Sequence, residues 1–243
     1  MALPSPDAFT QEPVRKAAVE VATDPLWDAA RRADGAPSSI DPVDLWAEVV
    51  AGRLRPYSDR LGPSRCYAIL RAVARTSGIC CPLSPAEATV LVRVLCGDQQ
   101  KVISTELQIA HSTASKRCAQ ALDKLELTGR TIPLPVVVAA QRAAGVATAA
   151  NVRQASFTYE GCEFVVASIP RPKVPARSPL TVSEQSIAQL LVEGRSRWQI
   201  AEIRETSVQT VSCQLRSIFA KFQSTGRYGL TRRAAELGWF DAP

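Results

Sequence analysis

Apolar positions recur at helical spacing in two segments of this chain, and both segments follow the same pattern. In the later segment the apolar residues are spaced 4, 3 and 4 residues apart, which places them on one face of a helix. These residues are Val211, Leu215, Ile218 and Phe222. The earlier segment repeats the spacing with Ala114, Cys118, Ala121 and Leu125. Both segments are predicted to be amphipathic helices with small polar residues on the opposite face.

Alternating strand-like patterns appear in two further places, each interrupted by a turn signal. Two β-prone runs on either side of such a signal predict a β-hairpin. The predicted strands are residues 54–61 and 66–73, around Gly62 and Pro63, and residues 155–159 and 162–169, around Glu160 and Gly161.

The chain also repeats itself. Residues 82–130 align without a gap on residues 179–227, at an offset of 97 residues. The matching pairs include Pro82/Pro179, Leu83/Leu180, Glu87/Glu184, Gly97/Gly194, Ile103/Ile200, Thr113/Thr210, Ser115/Ser212 and Lys124/Lys221. Self-similarity at a fixed period points to a repeated structural unit. Because residues 67–70 fall on 164–167 at the same offset, the unit is either a helical segment alone or a hairpin followed by it.

Local signals set the helix ends within each copy. Thr181 with Glu184, and Ser84 with Glu87, form capping boxes that start helices. Gly194 and Gly97 end those helices, and Ser196 and Ser207 can cap the next two in the second copy. After Arg130 the copies diverge: the first continues into a helix at 136–144, whereas the second closes with a helix containing Leu230, Ala234 and Leu237.

These signals predict a mainly α fold with two tandem four-helix units, each preceded by a short β-hairpin. Residues 1–12 are predicted to be disordered, and helices are predicted at 14–22, at 26–32 and after Asp41 and Pro42. The predicted division is 1–40 (tail and short helices, partly disordered), 41–81 (helix and hairpin), 82–145 (first unit), 146–178 (hairpin and a linker rich in Pro and basic residues) and 179–243 (second unit).

A helix with an apolar back and a hydrogen-bonding front is what insertion into a DNA major groove requires. The front of the later helix carries Gln209, Thr210, Ser212, Cys213, Gln214, Arg216 and Ser217. The corresponding residues of the earlier helix are Ser112, Thr113, Ser115, Lys116, Arg117 and Gln120. Each copy is therefore interpreted as a DNA-binding helix-turn-helix.

Charge supports this interpretation. The chain has 29 Lys and Arg against 23 Asp and Glu, for a net charge of +6. Residues 1–81 carry ten basic and ten acidic side chains, so the positive excess lies with the repeats and the segment between them. Such an excess suits a phosphate-binding surface, although it is also common on ordinary solvated faces.

Other functional classes find little support in the sequence. One His, no Gly-rich phosphate loop and no nucleophile elbow argue against an enzyme. Seven cysteines without Cys-x-x-Cys spacing predict reduced thiols and neither a metal site nor a disulfide framework. The four Trp residues are scattered and are interpreted as packing anchors. With no signal peptide and no apolar run of transmembrane length, a cytoplasmic, nucleoid-associated protein is expected.

The second copy resembles the LuxR-type helix-turn-helix of bacterial transcription regulators. The matching residues are Leu180, Thr181, Glu184, Gly194, Ile200, Ala201, Ser207, Thr210, Val211, Ile218, Lys221, Arg227 and Leu230. The first copy resembles a divergent member, and the arrangement of two units with hairpins is similar to myxobacterial regulators. The resemblance implies base contacts from Gln209, Ser212, Cys213 and Arg216, with phosphate contacts from Thr210 and Lys221.

This sequence departs from the family pattern at three positions, namely Trp198, Arg204 and Gln214. Trp198 removes a basic position that the first copy keeps as Lys101. The full candidate DNA-binding set is Arg197, Gln209, Thr210, Ser212, Cys213, Arg216, Lys221, Lys101, Ser112, Thr113, Ser115, Lys116, Arg117, Gln120 and Lys124.

The predicted function is a transcription regulator that binds specific sequences of double-stranded DNA, without a cofactor, a metal or a membrane. RNA polymerase and a second copy of the chain are candidate further partners. The alternative is a helix-turn-helix-derived protein-interaction module, directed at RNA polymerase or another regulator, whose first repeat does not bind DNA. A sigma-factor-like promoter reader would need a polymerase-binding segment that the sequence does not reveal.

Overall fold

The computed structural model describes residues 24–35, 41–73, 81–146 and 152–241, and its elements are helix-rich with one antiparallel sheet. Their order is α1 (Pro25–Asp34), α2 (Pro42–Val50), β1 (Leu54–Leu61), β2 (Arg65–Ala72), α3 (Pro85–Leu95), α4 (Gln100–Glu106), α5 (His111–Lys124), α6 (Leu134–Ala143), β3 (Arg153–Tyr159), β4 (Cys162–Pro170), α7 (Val182–Val192), α8 (Arg197–Ile203), α9 (Val208–Lys221) and α10 (Arg227–Glu236).

The 97-residue offset is preserved in the helix bounds. Helices α3, α4 and α5 begin and end 97 residues before α7, α8 and α9. Both predicted capping boxes are formed, at Ser84 with Glu87 and at Thr181 with Glu184. Gly97 and Gly194, with φ of +88° and +103°, follow the first helix of each unit, where a left-handed backbone ends the helix. The start and stop signals in the sequence therefore placed these helices correctly.

The two hairpins join into one sheet, in the order β1-β2-β4-β3. The central strands β2 and β4 pair antiparallel, with Arg65 opposite Pro170 and Arg71 opposite Phe164. A lone hairpin would leave the backbone groups along these strands without partners, and pairing the two hairpins satisfies them. Their association therefore produces a four-stranded sheet in the middle of the fold.

Helices cover both faces of the sheet. On one face Ile69, Phe164 and Val166 pack under Ala30 of helix α1. On the other face Ala68, Leu70 and Ala167 belong to a cluster with residues of α2, α3, α5 and α6. A buried network also ties α1 to the centre of the sheet. Ser168 Oγ donates to Asp34 Oδ1 at 2.6 Å and accepts from Arg65 Nε at 2.9 Å.

The position of helix α6 shows that the predicted fold class was only partly right. The sequence predicts two four-helix units, and α6 takes the position of the fourth helix in the first. In the structure every residue from Leu134 to Gln141 is buried, because α6 packs against α2 and both central strands. Gln141 donates to the Leu95 carbonyl at 2.6 Å and the Tyr228 carbonyl at 3.1 Å, which links both units through α6. The molecule is therefore not a pair of independent four-helix units but a helix-rich fold around a shared sheet.

The predicted linker before the second unit is packed against that unit. Arg171 forms an ion pair with the buried Glu193 carboxylate at 2.8 Å, and the Lys173 N–H donates to the Trp239 carbonyl. Pro172 is buried. The predicted disorder at 1–12, the helix at 14–22 and residue Cys80 lie outside the described residues.

Candidate nucleic-acid interface

Helix α9 has a buried back and an exposed front. Val211, Leu215 and Ile218 are buried on the back and pack with α7 and α8. At the N-terminus the Thr210 N–H donates to the Ser207 hydroxyl at 3.0 Å, so the predicted cap is present. The apolar back and the capped first turn fix the helix, and the front is left to solvent.

The front of α9 carries the readout residues predicted from the sequence. Gln209, Thr210, Cys213 and Arg216 are exposed, and Ser212 is half-buried. Within the described part of the chain, neither the Gln209 amide nor the Arg216 guanidinium has a hydrogen-bond or ion-pair partner. Both side chains therefore keep their donors available to a ligand.

Helix α5 has the same organisation in the first unit. Its buried back consists of Ala114, Cys118 and Ala121. The front residues Ser112, Lys116 and Gln120 are exposed, and Thr113, Ser115 and Arg117 are half-buried. Ser115 Oγ donates to Gln100 Oε1 at 2.9 Å, which ties α5 to α4. Among the described residues, none pairs with Lys116 or Arg117.

The first turn distinguishes α5 from α9. Ala110 occupies the N-cap position of α5 and supplies no side-chain hydrogen bond, whereas Ser207 caps α9. The two residues are 97 apart, so they hold equivalent positions in the repeat. The exposed front of α5 is therefore carried by a helix with a weaker start.

Lys124 and Lys221 are the last residues of α5 and α9, and each forms an ion pair with a carboxylate. Lys221 Nζ lies 2.6 Å from Glu184 Oε2, and Lys124 Nζ lies 2.7 Å from Glu87 Oε2. The Lys221 hydrogen bond, followed by those from Ser217 and the Thr181 backbone, lowers the pKa of Glu184 to about 2. The Lys124 hydrogen bond likewise lowers the pKa of Glu87.

This lysine–carboxylate contact was missed in the sequence. Both copies place the lysine 37 residues after the capping-box glutamate. Recurrence of both partners at one spacing is the signal that could have revealed it. Since each lysine side chain is still about one-third exposed, at 34% and 33%, a phosphate could share the ammonium with the carboxylate.

Helices α4 and α8 pack beside α5 and α9 and carry the remaining candidates. Lys101 on α4 and Arg197 on α8 are exposed. Trp198, which was expected to anchor packing, is 75% exposed, so that interpretation is wrong for this residue. Its equivalent is Lys101, whose charge indicates that this position faces solvent in both copies.

Arg204 and Gln214, the other two departures from the family pattern, form hydrogen bonds within the second unit. Arg204 donates to the hydroxyls of Ser183 and Ser186 at 3.2 Å each, and Gln214 donates to Ser183 at 3.0 Å. These bonds join α7 to α9 and to the turn after α8. Gln214 therefore holds α9 against α7, and Arg204 holds the end of α8 against the same helix.

Thus the structure brings the candidates together in two separate sets. One comprises Lys101 and the α5 residues, and the other comprises Arg197 and the α9 residues. Among the described residues there is no group of three or more His, Cys, Asp or Glu side chains that could hold a metal ion. No described helix has the length and apolar character needed to cross a membrane.

Residues 178–234 match the family described as bacterial regulatory proteins, luxR family. The match begins before α7 and ends within α10, so residues 82–130 lie outside it. No curated protein and no solved structure matches the chain. The resemblance predicted for the second copy is confirmed over residues 178–234, which carry a LuxR-type helix-turn-helix, a DNA-binding domain of bacterial transcription regulators.

Proposed function

We propose that this protein is a transcription regulator that binds specific double-stranded DNA sequences by placing α9 and α5 in major grooves. The observation that carries the proposal is the front of α9. There Gln209 and Arg216 hold exposed donors without a partner among the described residues, on a helix whose back is fully buried. We refer to α5 and α9 below as the reading helices.

The chemistry of the α9 front fits base edges. A guanidinium can donate two parallel hydrogen bonds to guanine, and a side-chain amide can bond adenine in both directions. Arg216 and Gln209 supply these two groups, and the small residues Ser212 and Cys213 allow the helix backbone to approach closely. Thr210 and Lys221 are the phosphate contacts in this proposal, with Arg197 on α8 beside them.

The proposal extends to the first unit. Lys116 and Arg117 give the front of α5 two cations, and Lys101 adds one on α4. The division into a first reader at 82–145 and a second at 179–243 belongs to this proposal. So do a cytoplasmic, nucleoid-associated location, contact with RNA polymerase and assembly into a homodimer.

A second candidate function applies to the first unit alone. The family match is confined to residues 178–234, so the first unit has no such support for DNA binding. In this alternative the first unit binds RNA polymerase or another regulator, and only α9 reads DNA.

Fluorescence anisotropy on a mixture of genomic duplexes at two salt concentrations tests the proposal. Two double variants probe the readers: Gln209→Ala with Arg216→Ala, and Lys116→Ala with Arg117→Ala. The control, Arg31→Ala with Arg32→Ala, removes two exposed charges from α1, which packs on the sheet face opposite α2 and α6. It is matched in charge loss to the α5 variant.

We expect binding by the intact chain to weaken steeply with salt, because phosphate contacts release counterions. Each reader variant should lose about 1–3 kcal/mol of binding free energy, and the α1 control should change little. Loss in the α9 variant alone would favour the interaction alternative for the first unit. Absence of binding by the intact chain at low salt would reject the proposed function.

A further inference from the structure

The central strands of the sheet pair so that equivalent residues of the two repeats meet. Ile69 of β2 is paired with Val166 of β4, and these residues are 97 apart, which is the repeat offset. In an antiparallel pair, this arrangement puts a local two-fold axis through the Ile69–Val166 pair, perpendicular to the sheet.

The neighbouring cross-strand residue pairs are related by the same axis. Tyr67 is opposite Ser168, and Phe164 is opposite Arg71. Adding 97 to Tyr67 gives Phe164, and subtracting 97 from Ser168 gives Arg71, so the axis exchanges the two pairs.

The outer strands extend the symmetry beyond the central pair of strands. Ser58 of β1 is opposite Ile69, and Ala155 of β3 is opposite Val166. Ser58 and Ala155 are also 97 residues apart. A bulge at Tyr57 shifts the β1–β2 register towards the start of β1, so the symmetry does not extend to residues 54–56.

The helical units are also placed as the same axis would relate them. The Gly97 loop after α3 approaches the start of α10 so closely that a Cβ on Gly97 would lie 2.4 Å from the Gly229 Cα. The Gly194 loop after α7 lines a cavity of about 430 Å³ together with Arg130 and Thr131. Arg130 and Thr131 come 97 residues before Arg227 and Tyr228, at the start of α10. The first loop of each unit thus faces the equivalent segment of the other unit, in close contact at Gly97 and across a cavity at Gly194. A two-fold axis places both loops in this way, and a simple translation does not.

The fronts of the two reading helices carry different side chains at equivalent positions. Lys116 on α5 corresponds to Cys213 on α9, and Ala119 corresponds to Arg216. Apart from the equivalent Lys124 and Lys221, the cations of the two helices therefore lie at different positions along the helix. Base sequences read by the two helices should differ accordingly.

From this geometry we infer that one chain binds one DNA duplex with two half-sites of different sequence arranged in inverted orientation. Two readers related by a two-fold axis can dock on one duplex only if that axis coincides with a two-fold axis of the DNA, which inverts one half-site relative to the other. A direct repeat would require units related by translation along the groove. The inference rests on the proposed function, and it adds the orientation, the inequality of the half-sites and the stoichiometry.

Selection of binding sites by the intact chain tests the inference. The probe is a library of random-sequence duplexes of about 30 bp, roughly three turns of B-DNA. We expect the selected duplexes to contain two dissimilar elements with fixed spacing and relative orientation. The best duplex is then rebuilt with one element reversed in place, and with one element scrambled. Native mass spectrometry gives the number of chains on each duplex.

If the inference holds, one chain occupies the selected duplex, and reversing one element lowers affinity to that of the single-element duplex. Linked sites gain roughly 10²–10⁴-fold in affinity, so a fall of at least about 100-fold is expected. Arg216→Ala should relax base preference in one element only, and Lys116→Ala with Arg117→Ala in the other. Equal affinity for the reversed arrangement, or two chains on two identical elements, would overturn the inference. Selection of a single element would do so as well, but it would leave DNA binding intact. Failure to retain any duplex at low salt would instead reject the proposed function.

Discussion

At the residue scale, polar contacts with buried carboxylates hold each reading helix to the first helix of its unit. In the second unit Glu184 caps its own helix through Thr181 and also accepts from Lys221 and Ser217 of α9. Glu184 is 6% exposed as a residue, so these bonds are largely shielded from water. The same group therefore starts α7 and orients α9.

Protonation of Glu184 should weaken the fold. Its pKa of about 2 is below the ordinary glutamate value of roughly 4.3, so the ionised form is favoured in the folded state. Its stabilising contribution is complete above about pH 4.3 and disappears as the pH falls towards 2. We expect Glu184→Gln to lower the free energy of unfolding at pH 7 by about 1–3 kcal/mol and to flatten its pH dependence below pH 5.

Urea unfolding followed by circular dichroism between pH 7 and pH 3 measures both effects. Glu202→Gln on the exposed surface of α8 is the matched control and should leave the stability curve nearly unchanged. A Glu184→Gln protein with the stability and acid sensitivity of the unchanged chain would show that the contact contributes nothing.

At the element scale, the reading helices differ in how they begin. Ser207 supplies a side-chain cap to α9, and Ala110 supplies none to α5. Ala110 has φ −63° and ψ 146°, the extended backbone that a capping residue adopts. The N-cap position therefore has a suitable backbone conformation in both repeats, but only the second repeat has a capping side chain there.

Ser207→Ala and Ala110→Ser should change the stability of the fold in opposite directions. Ser207→Ala is expected to cost about 1 kcal/mol of stability, and Ala110→Ser to add a similar amount, through one hydrogen bond to the N–H three residues on. Thermal unfolding of each variant and of the double exchange measures the changes. A rise in stability on Ser207→Ala, or a fall on Ala110→Ser, would contradict the capping account.

Local signals explain why the sequence predicted the paired helices well. Each capping side chain accepts a hydrogen bond from a backbone N–H in the first turn of its own helix, as at Ser84, Thr181, Ser196 and Ser207. Gly97 ends a helix by its backbone conformation alone. None of these depends on distant partners, so bounds and caps were accessible without the structure.

Features that depend on distant partners were not predictable in the same way. The pairing of β2 with β4 joins strands from different halves of the chain, and no local pattern distinguishes it from two separate hairpins. Helix α6 has a continuous apolar run that fits a closing helix as well as a central one. For the site, the fronts of both reading helices followed from periodicity, whereas the Lys221–Glu184 contact required the tertiary fold.

At the scale of the whole molecule, the two units are fixed to each other by close backbone contact. Gly97 and Gly229 meet where any side chain on Gly97 would overlap backbone atoms, at 2.4 Å and 2.5 Å. Gly129 has a comparable left-handed φ of +73° but nothing near its Cβ position. Comparing substitutions at Gly97 and Gly129 therefore separates the cost of backbone strain from the cost of disturbing the contact between units.

We therefore expect Gly97→Ala to destabilise the fold more than Gly129→Ala does. Left-handed backbone with a Cβ costs roughly 1–2 kcal/mol, which both variants share. The overlap with Gly229 should add about 1–3 kcal/mol in Gly97→Ala only. Equal losses in chemical denaturation would show that the units do not meet at this point.

We propose that one molecule reads DNA through both α5 and α9. Hydroxyl-radical footprinting of the intact chain on its selected duplex tests this proposal. We expect two protected patches on one side of the duplex, with centres about 10 bp apart or a multiple of that. Gln209→Ala with Arg216→Ala should weaken one patch first, and Lys116→Ala with Arg117→Ala the other. A single patch that only the α9 variant affects would show that α5 does not read DNA.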